Sequence, residues 1–183
     1  MKPAGVRIGS GDLKGRRLEV PAGIRPSEGK VKAALFSIWS AELAGASFLD
    51  LFAGSGAVGV EAVSRGALSA TFVESDRRVL PRLRRNLAHL PAGAATLHAG
   101  DAEAALSALH AAGSRFELVF ADPPYSRHPD EALLELCSRV LESGGKLAFE
   151  HGSRVRLPME TGDLVRIESR RYGESALTFY GRP

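Results

Sequence analysis

Leu49-Asp50-Leu51-Phe52-Ala53-Gly54-Ser55-Gly56-Ala57-Val58-Gly59 runs from an apolar segment into a glycine-rich turn and on into a helical pattern. Glycines 54, 56 and 59 satisfy G-x-G-x-x-G after a strand and before a helix, a spacing that lets backbone approach a nucleotide closely. Asp50, four residues before the first glycine, argues against a dinucleotide. A carboxylate there would face a pyrophosphate unfavourably, whereas it suits the ammonium and sulfonium of S-adenosylmethionine. Asp50, Phe52, Gly54 and Gly56 are therefore the first candidate cofactor contacts.

Outward from this turn the apolar periodicity alternates between strand and helix. Strands are predicted at Ser47–Phe52, Ser69–Glu74, Ala94–His98, Phe116–Ala121 and Lys146–Glu150, with helices near Gly56–Arg65, Arg77–Leu90, Ala102–Ala112 and Asp130–Leu141. Gly66, Gly113 and Gly144 stand in helix-stop positions. Pro81 falls inside the second of these helices and must kink it or delay its start. Asp163–Arg171 and Ser175–Gly181 leave no room for a helix between them and should pair antiparallel around Tyr172-Gly173-Glu174. At the front, Val6–Ile8 and Arg16–Val20 read as a small hairpin, followed by a helix from about Glu28 to Leu43. The expected fold class is α/β: a seven-stranded, mostly parallel sheet with an antiparallel last strand. A basic hairpin extension over residues 1–26 precedes a main domain over 27–183.

Two more acids stand at strand ends. Glu74 can accept both ribose hydroxyls of a nucleotide. Asp101 can accept from an adenine amino group, cap the following helix, or do both. At the end of Phe116-Glu117-Leu118-Val119-Phe120-Ala121 comes Asp122-Pro123-Pro124-Tyr125. Taken alone it reads as a Pro-Pro loop with a helix-capping aspartate. Beside the other strand-end acids it supplies a carboxylate, stiffened carbonyl acceptors and an aromatic face, which suit a planar nitrogen held still for a transfer.

Composition narrows the class. With 183 residues and 44% hydrophobic content the chain can bury one sizeable α/β core. The single cysteine, Cys137, permits no internal disulfide and fits a reducing compartment. No run approaches the roughly 20 apolar residues of a membrane span, so a cytoplasmic protein is expected. Net charge is only +3, but residues 1–32 hold eight basic side chains against three acidic ones. Such a segment ahead of a near-neutral body suits either a polyanion-binding arm or an ordinary solvated face. The arginines at 77, 78, 82, 84 and 85 lie on a helix and read as solvent-facing or structural. The five histidines show no metal-ligand spacing with Cys137, so no metal is expected.

Asp50-Leu51-Phe52-Ala53-Gly54-Ser55-Gly56, Glu74, Asp101 and Asp122-Pro123-Pro124-Tyr125, in that order, resemble a Rossmann-like class I S-adenosylmethionine-dependent methyltransferase. More closely, the chain resembles the RsmD family of bacterial 16S ribosomal RNA guanine-N2 methyltransferases. The likeness extends over nearly the whole chain, through Arg16-Arg17-Leu18-Glu19-Val20-Pro21, Val31-Lys32-Ala33-Ala34-Leu35-Phe36, Glu61-Ala62-Val63-Ser64-Arg65-Gly66, Glu150-His151 and Arg171-Tyr172-Gly173. Ser27-Glu28-Gly29-Lys30 departs from the family, which carries an acid where Gly29 stands. The resemblance implies S-adenosylmethionine as cofactor and a guanine of 16S rRNA, at position 966, as target. The substrate would be the RNA or a small-subunit assembly particle, met by a monomer.

In this reading Asp122 and the Pro123 carbonyl each accept one N–H of the guanine amine, and Tyr125 stacks on the base. Arg16, Arg17 and Arg25 hold RNA phosphates, and the target base must be single-stranded or flipped out. Two other readings stand. A DNA adenine-N6 methyltransferase would use the same acceptor loop, although no stretch is long enough for a target-recognition domain. A non-catalytic RNA-binding module could keep a vestigial nucleotide pocket.

Overall fold

The computed structural model describes residues 5–20, 28–124 and 131–183. The chain opens with an antiparallel hairpin, β1 (Gly5–Arg7) and β2 (Arg17–Glu19), and a helix, α1 (Glu28–Ile38). Alternation then sets in: β3 (Ser47–Leu51), α2 (Ala57–Ser64), β4 (Ser69–Glu74), α3 (Leu80–Leu87), β5 (Ala95–Ala99), α4 (Ala102–Ala111), β6 (Phe116–Ala121), α5 (Glu131–Val140) and β7 (Leu141–Gly152). β8 (Glu160–Thr161), β9 (Leu164–Tyr172) and β10 (Ser175–Gly181) complete it.

The main sheet has the order β5-β4-β3-β6-β7-β10-β9-β8. Its first five strands pair in parallel and the last three are joined antiparallel. The chain builds outward from β3 to β5, then returns to lay β6 on the free side of β3. At such a reversal the loops leaving the two central strands diverge, and a crevice opens beyond their carboxyl ends. The glycine-rich turn leaves β3 and the Asp-Pro-Pro turn leaves β6, so both border that crevice.

Three features differ from the sequence expectation in detail. Pro81 delays α3 instead of kinking it: the helix begins at Leu80 and the proline occupies its first turn, where its missing N–H costs nothing. β7 takes over from α5 without a loop, because Leu141 pairs with Phe116 ahead of a register shift in β6. An eighth strand of two residues, Glu160–Thr161, caps the edge, too short to show any periodicity in the sequence. Between Tyr172 and Ser175 the last turn is two residues long, and Gly173 takes the positive φ of 70° that so tight a connection needs.

Side chains of successive strand residues fall on opposite faces, and the core divides accordingly. On one face Phe48, Phe72 and Leu177 pack with α1, α2 and the hairpin residues Ile8 and Leu18. Trp39 centres this layer, its indole edge-on to Phe48 at 6.1 Å and to Phe179 at 6.0 Å. On the other face Leu49, Leu51 and Val119 pack with Leu106, Leu133, Leu134 and Cys137 of α4 and α5. Burial pushes the Cys137 thiol up to about 12, so this cysteine is packing material and not a nucleophile.

The hairpin is fastened to the helices by polar groups as well. Ser64 Oγ accepts from the Leu13 amide at 2.9 Å and donates to the Ser10 carbonyl at 2.7 Å. Asn86 accepts from the Glu19 amide and donates to the carbonyls of Glu19 and Ser55.

Candidate active site

The turn after β3 is held in a conformation that costs energy. Phe52 has φ 61°, the one non-glycine residue with positive φ among the described residues, at a cost of about 1–3 kcal/mol. Three neighbouring bonds over-determine it. The Ala53 amide donates to Val73 O at 2.9 Å, the Gly56 amide to Ala53 O at 2.7 Å, and the Gly54 amide to Glu74 Oε2 at 2.8 Å. The other carboxylate oxygen of Glu74 accepts from the Asp76 amide at 2.7 Å. Glu74 thus ties the turn after β4 to the turn after β3.

Asp50 is 2% exposed, and its Oδ2 accepts from the Gly59 amide at 2.8 Å in the first turns of α2. Burial raises its carboxyl to about 8; the Gly59 hydrogen bond opposes the rise and the charge of Glu74 adds to it. A buried acid so poised is stabilised as an anion by an arriving cation. Gly59 is fixed by space: a Cβ there would lie 2.3 Å from the Phe72 ring and 3.1 Å from Asp50 Oδ2. It lets α2 sit close on β4.

Register places the second turn beside the first. Asp50 pairs with Phe120 and Leu51 with Ala121, so Asp122 lies level with Phe52. The Asp122 amide reaches toward Leu51 O at 3.5 Å. Pro123 is buried and Pro124 exposed. A cleft with about 580 Å³ of space, part of it open to solvent, is lined by Asp50, Phe52, Gly54, Asp122, Lys32 and Glu150 among others. The sequence-predicted acids of β3 and β6 therefore share one cavity. Gly56 stands behind it, as the residue before α2 with φ 77°, where a Cβ would meet Leu83 at 2.7 Å. Tyr125 and Arg25 lie outside the described residues.

Asp101 is the N-cap of α4, accepting from the amides of Glu103 at 2.9 Å and Ala104 at 3.2 Å. It is exposed and is not part of the cleft lining. Arg16 and Arg17 are exposed on the hairpin, whose Val6 reaches the cleft. Of the arginines expected on the second helix, Arg78 lies just ahead of α3 and pairs with Asp76, and Arg85 within α3 pairs with Glu19.

Two cleft residues have no mark in the local sequence pattern. Glu150, near the end of β7, is 8% exposed and brings a further carboxylate to the acceptor side. Lys32 of α1 is 9% exposed and pairs at 2.5 Å with Glu61 of α2. Glu61 also takes Arg65 at 2.6 Å and the Gly9 amide at 3.2 Å. Burial pushes the Glu61 carboxyl up, but the hydrogen bonds from Lys32 and Arg65 outweigh it and hold it below the ordinary carboxylate value. These partners are 29 positions or more apart except for Arg65, so only the fold reveals the group. No set of three His, Cys, Asp or Glu side chains among the described residues could hold a metal. No described helix is long and apolar enough to cross a membrane.

Residues 6–181 match the family described as "Conserved hypothetical protein 95". A curated relative, "Ribosomal RNA small subunit methyltransferase D" of Escherichia coli strain K12, is 41% identical over 86% of this chain and 77% of its own length. The chain belongs to the RsmD family. "Putative rRNA methyltransferase YlbH" of Bacillus subtilis is 39% identical over 96% of this chain and 98% of its own length. Among solved structures, "Putative methyltransferase yhhF from Escherichia coli" superposes with a TM-score of 0.86 at 34% identity, covering 98% of each chain. The RsmD-family chain thus has the Rossmann-like architecture of the S-adenosylmethionine-dependent methyltransferases, hairpin and antiparallel closing strands included.

Proposed function

We propose that this protein transfers a methyl group from S-adenosylmethionine to the exocyclic N2 of a guanine in small-subunit ribosomal RNA. The observation that carries the reading is the shared cleft: Asp50 and Gly54 on one strand end and Asp122 on the next line a single cavity at the sheet's reversal point. The names of the family relatives add ribosomal RNA as the substrate class.

The residues present fit the cofactor. Asp50 is a buried acid that a cation would ionise, the Glu74 carboxylate beside the Gly54 amide would accept from the ribose hydroxyls, and Gly54 leaves the turn open. Asp101 would take the adenine amine with the lone pairs that its capping role does not use. When bound, S-adenosylmethionine supplies an electrophilic methyl group on a sulfonium.

The remaining chemistry belongs to the chain. The N2 lone pair of guanine is delocalised into the ring, and outright deprotonation is too costly at neutral pH. Asp122 accepting one N–H and the Pro123 carbonyl the other would pull the nitrogen toward a tetrahedral shape and fix its direction. Alignment supplies most of the acceleration, and Asp122 takes up the excess proton. Tyr125 follows directly after Pro124 and is assigned the stacking face. Arg16, Arg17 and Arg25 are assigned to RNA phosphates, with the base flipped out of any stem. The hairpin's approach to the cleft through Val6 supports that assignment.

Labelled methyl transfer to small ribosomal subunits from cells lacking this gene tests the proposal, with nucleoside analysis of the product. N2-methylguanosine in 16S rRNA is expected. Label in adenine of duplex DNA, or none in either, would overturn it. Arg16→Glu with Arg17→Glu is expected to remove transfer to RNA while cofactor affinity stays within about twofold, since exposed charges act on the polyanion and not on the cleft.

A further inference from the structure

A second concavity lies on the other face of the sheet, between the segment 153–159 and β9. Its floor is three strands deep: His151 of β7, Ala176 of β10 and Arg171 of β9 are in register across it. The floor is tied together by hydrogen bonds. Thr178 contacts His151 Nε2 at 2.7 Å and Ser169 Oγ at 2.9 Å, while His151 Nδ1 donates to Gly152 O at 2.9 Å. Burial holds the imidazole below its ordinary value, so it is a neutral part of the floor.

The walls are basic. Arg156, Arg166 and Arg171 line the groove against a single acid, Glu168, whose carboxylate is already held by Arg170 at 2.8 Å. Arg166 is anchored by donating to Leu157 O at 3.0 Å. Arg156 and Arg171 are exposed, and neither takes part in an ion pair with a carboxylate among the described residues. Met159 and Ile167, 59% and 58% exposed, add apolar surface beside them. Guanidinium groups without partners next to exposed apolar side chains suit a sugar-phosphate chain with unstacked bases.

Position selects the same ligand. Adjacent residues of β7 serve the two concavities: Glu150 lines the active-site cleft and His151 lines the groove. A strand that enters the cleft with its target base has the groove immediately around the end of the sheet.

We propose that this groove binds the phosphodiester backbone of the RNA flanking the methylated base. The hairpin and the groove then grip the substrate from both sides of the acceptor turn. The inference rests on RNA being the substrate, and the test keeps the two claims apart.

Arg156→Ala with Arg171→Ala, beside Arg156→Lys with Arg171→Lys, would be compared with wild type for binding to a protein-free 16S rRNA transcript across a salt series, and for kinetics on small subunits. For the alanine pair a roughly tenfold loss of RNA affinity is expected, with the salt slope falling by about 1.5–2, the loss of two phosphate contacts. KM should rise with kcat nearly unchanged, S-adenosylmethionine affinity should hold, and the lysine pair should recover most of the binding. Unchanged transcript affinity and slope would overturn the groove assignment. So would a defect seen with subunits but not with the transcript, which would make a ribosomal protein the occupant. Should the wild type methylate no RNA, the proposed reaction fails, and the transcript series still decides whether the groove binds RNA.

Discussion

The turn after β3 and the turn after β6 lie level with each other at the sheet's reversal point, yet they are made rigid by different means. The first is strained at Phe52 and held by a web of amides reaching Glu74 and Asp50. The second is stiffened within the chain itself, by two prolines in succession. A wired turn passes any local change to the fold and the cofactor together, whereas a proline turn can lose one side chain and keep its shape. The donor half should therefore respond to mutation in stability and cofactor affinity, and the acceptor half in turnover alone.

Gly59→Ala should break the comparison most heavily on the donor side. The added methyl overlaps the Phe72 ring and presses on Asp50, and forcing it in costs about 1–3 kcal/mol. Thermal unfolding should shift down, and cofactor affinity measured by calorimetry should fall by more than that of any acceptor-turn variant.

Glu74→Gln comes next. An amide oxygen can accept from Gly54 or from Asp76 while the NH2 group that replaces the second oxygen repels the other donor. Charge-assisted bonds are worth about 1.5–3 kcal/mol, so cofactor affinity should drop about tenfold to a hundredfold. The turnover number at saturating cofactor should stay within about threefold.

The smallest effect sharpens the electrostatics of the donor half. The folded value of Asp50 lies above its ordinary 3.8, at about 8. Its contribution to the stability of the cofactor-free protein is therefore complete below 3.8 and is lost as pH rises through about 8. Wild-type melting temperature should fall relative to Asp50→Asn across that window. Cofactor binding, which favours the ionised acid, should strengthen with pH by less than tenfold per unit and level off above about 8. A difference between the two proteins that does not vary with pH would remove Asp50 from this role.

Most of the architecture was legible because its signals are local. Strand and helix periods, the helix-ending glycines and the Tyr172-Gly173-Glu174 turn each declare themselves within a dozen residues. Order alone puts Asp50, Glu74, Asp101 and Asp122 at strand ends, because a parallel α/β sheet gathers its carboxyl ends at one edge; of the four, Asp50 and Asp122 line the cleft. What stayed hidden depends on pairing between distant segments. Lys32 looked like part of a free basic arm, but Glu61 neutralises it inside the protein. Arg156, Arg166 and Arg171 form no local pattern in the sequence, and only the folding of the 153–159 segment beside β9 sets them around one groove. The boundary between α5 and β7 was missed because Leu141 reads equally well as the last turn of a helix or the first pair of a strand.

The central claim is that Asp122 acts on the acceptor nitrogen and leaves cofactor binding to the other half of the cleft. Calorimetric titration of Asp122→Ala with S-adenosylmethionine, beside a turnover assay on small subunits, tests it most directly. Affinity within about threefold of wild type with turnover reduced at least about a hundredfold is the expected result, in line with the loss of a general acid–base group. A comparable collapse of cofactor affinity would place Asp122 in the donor half and contradict the account.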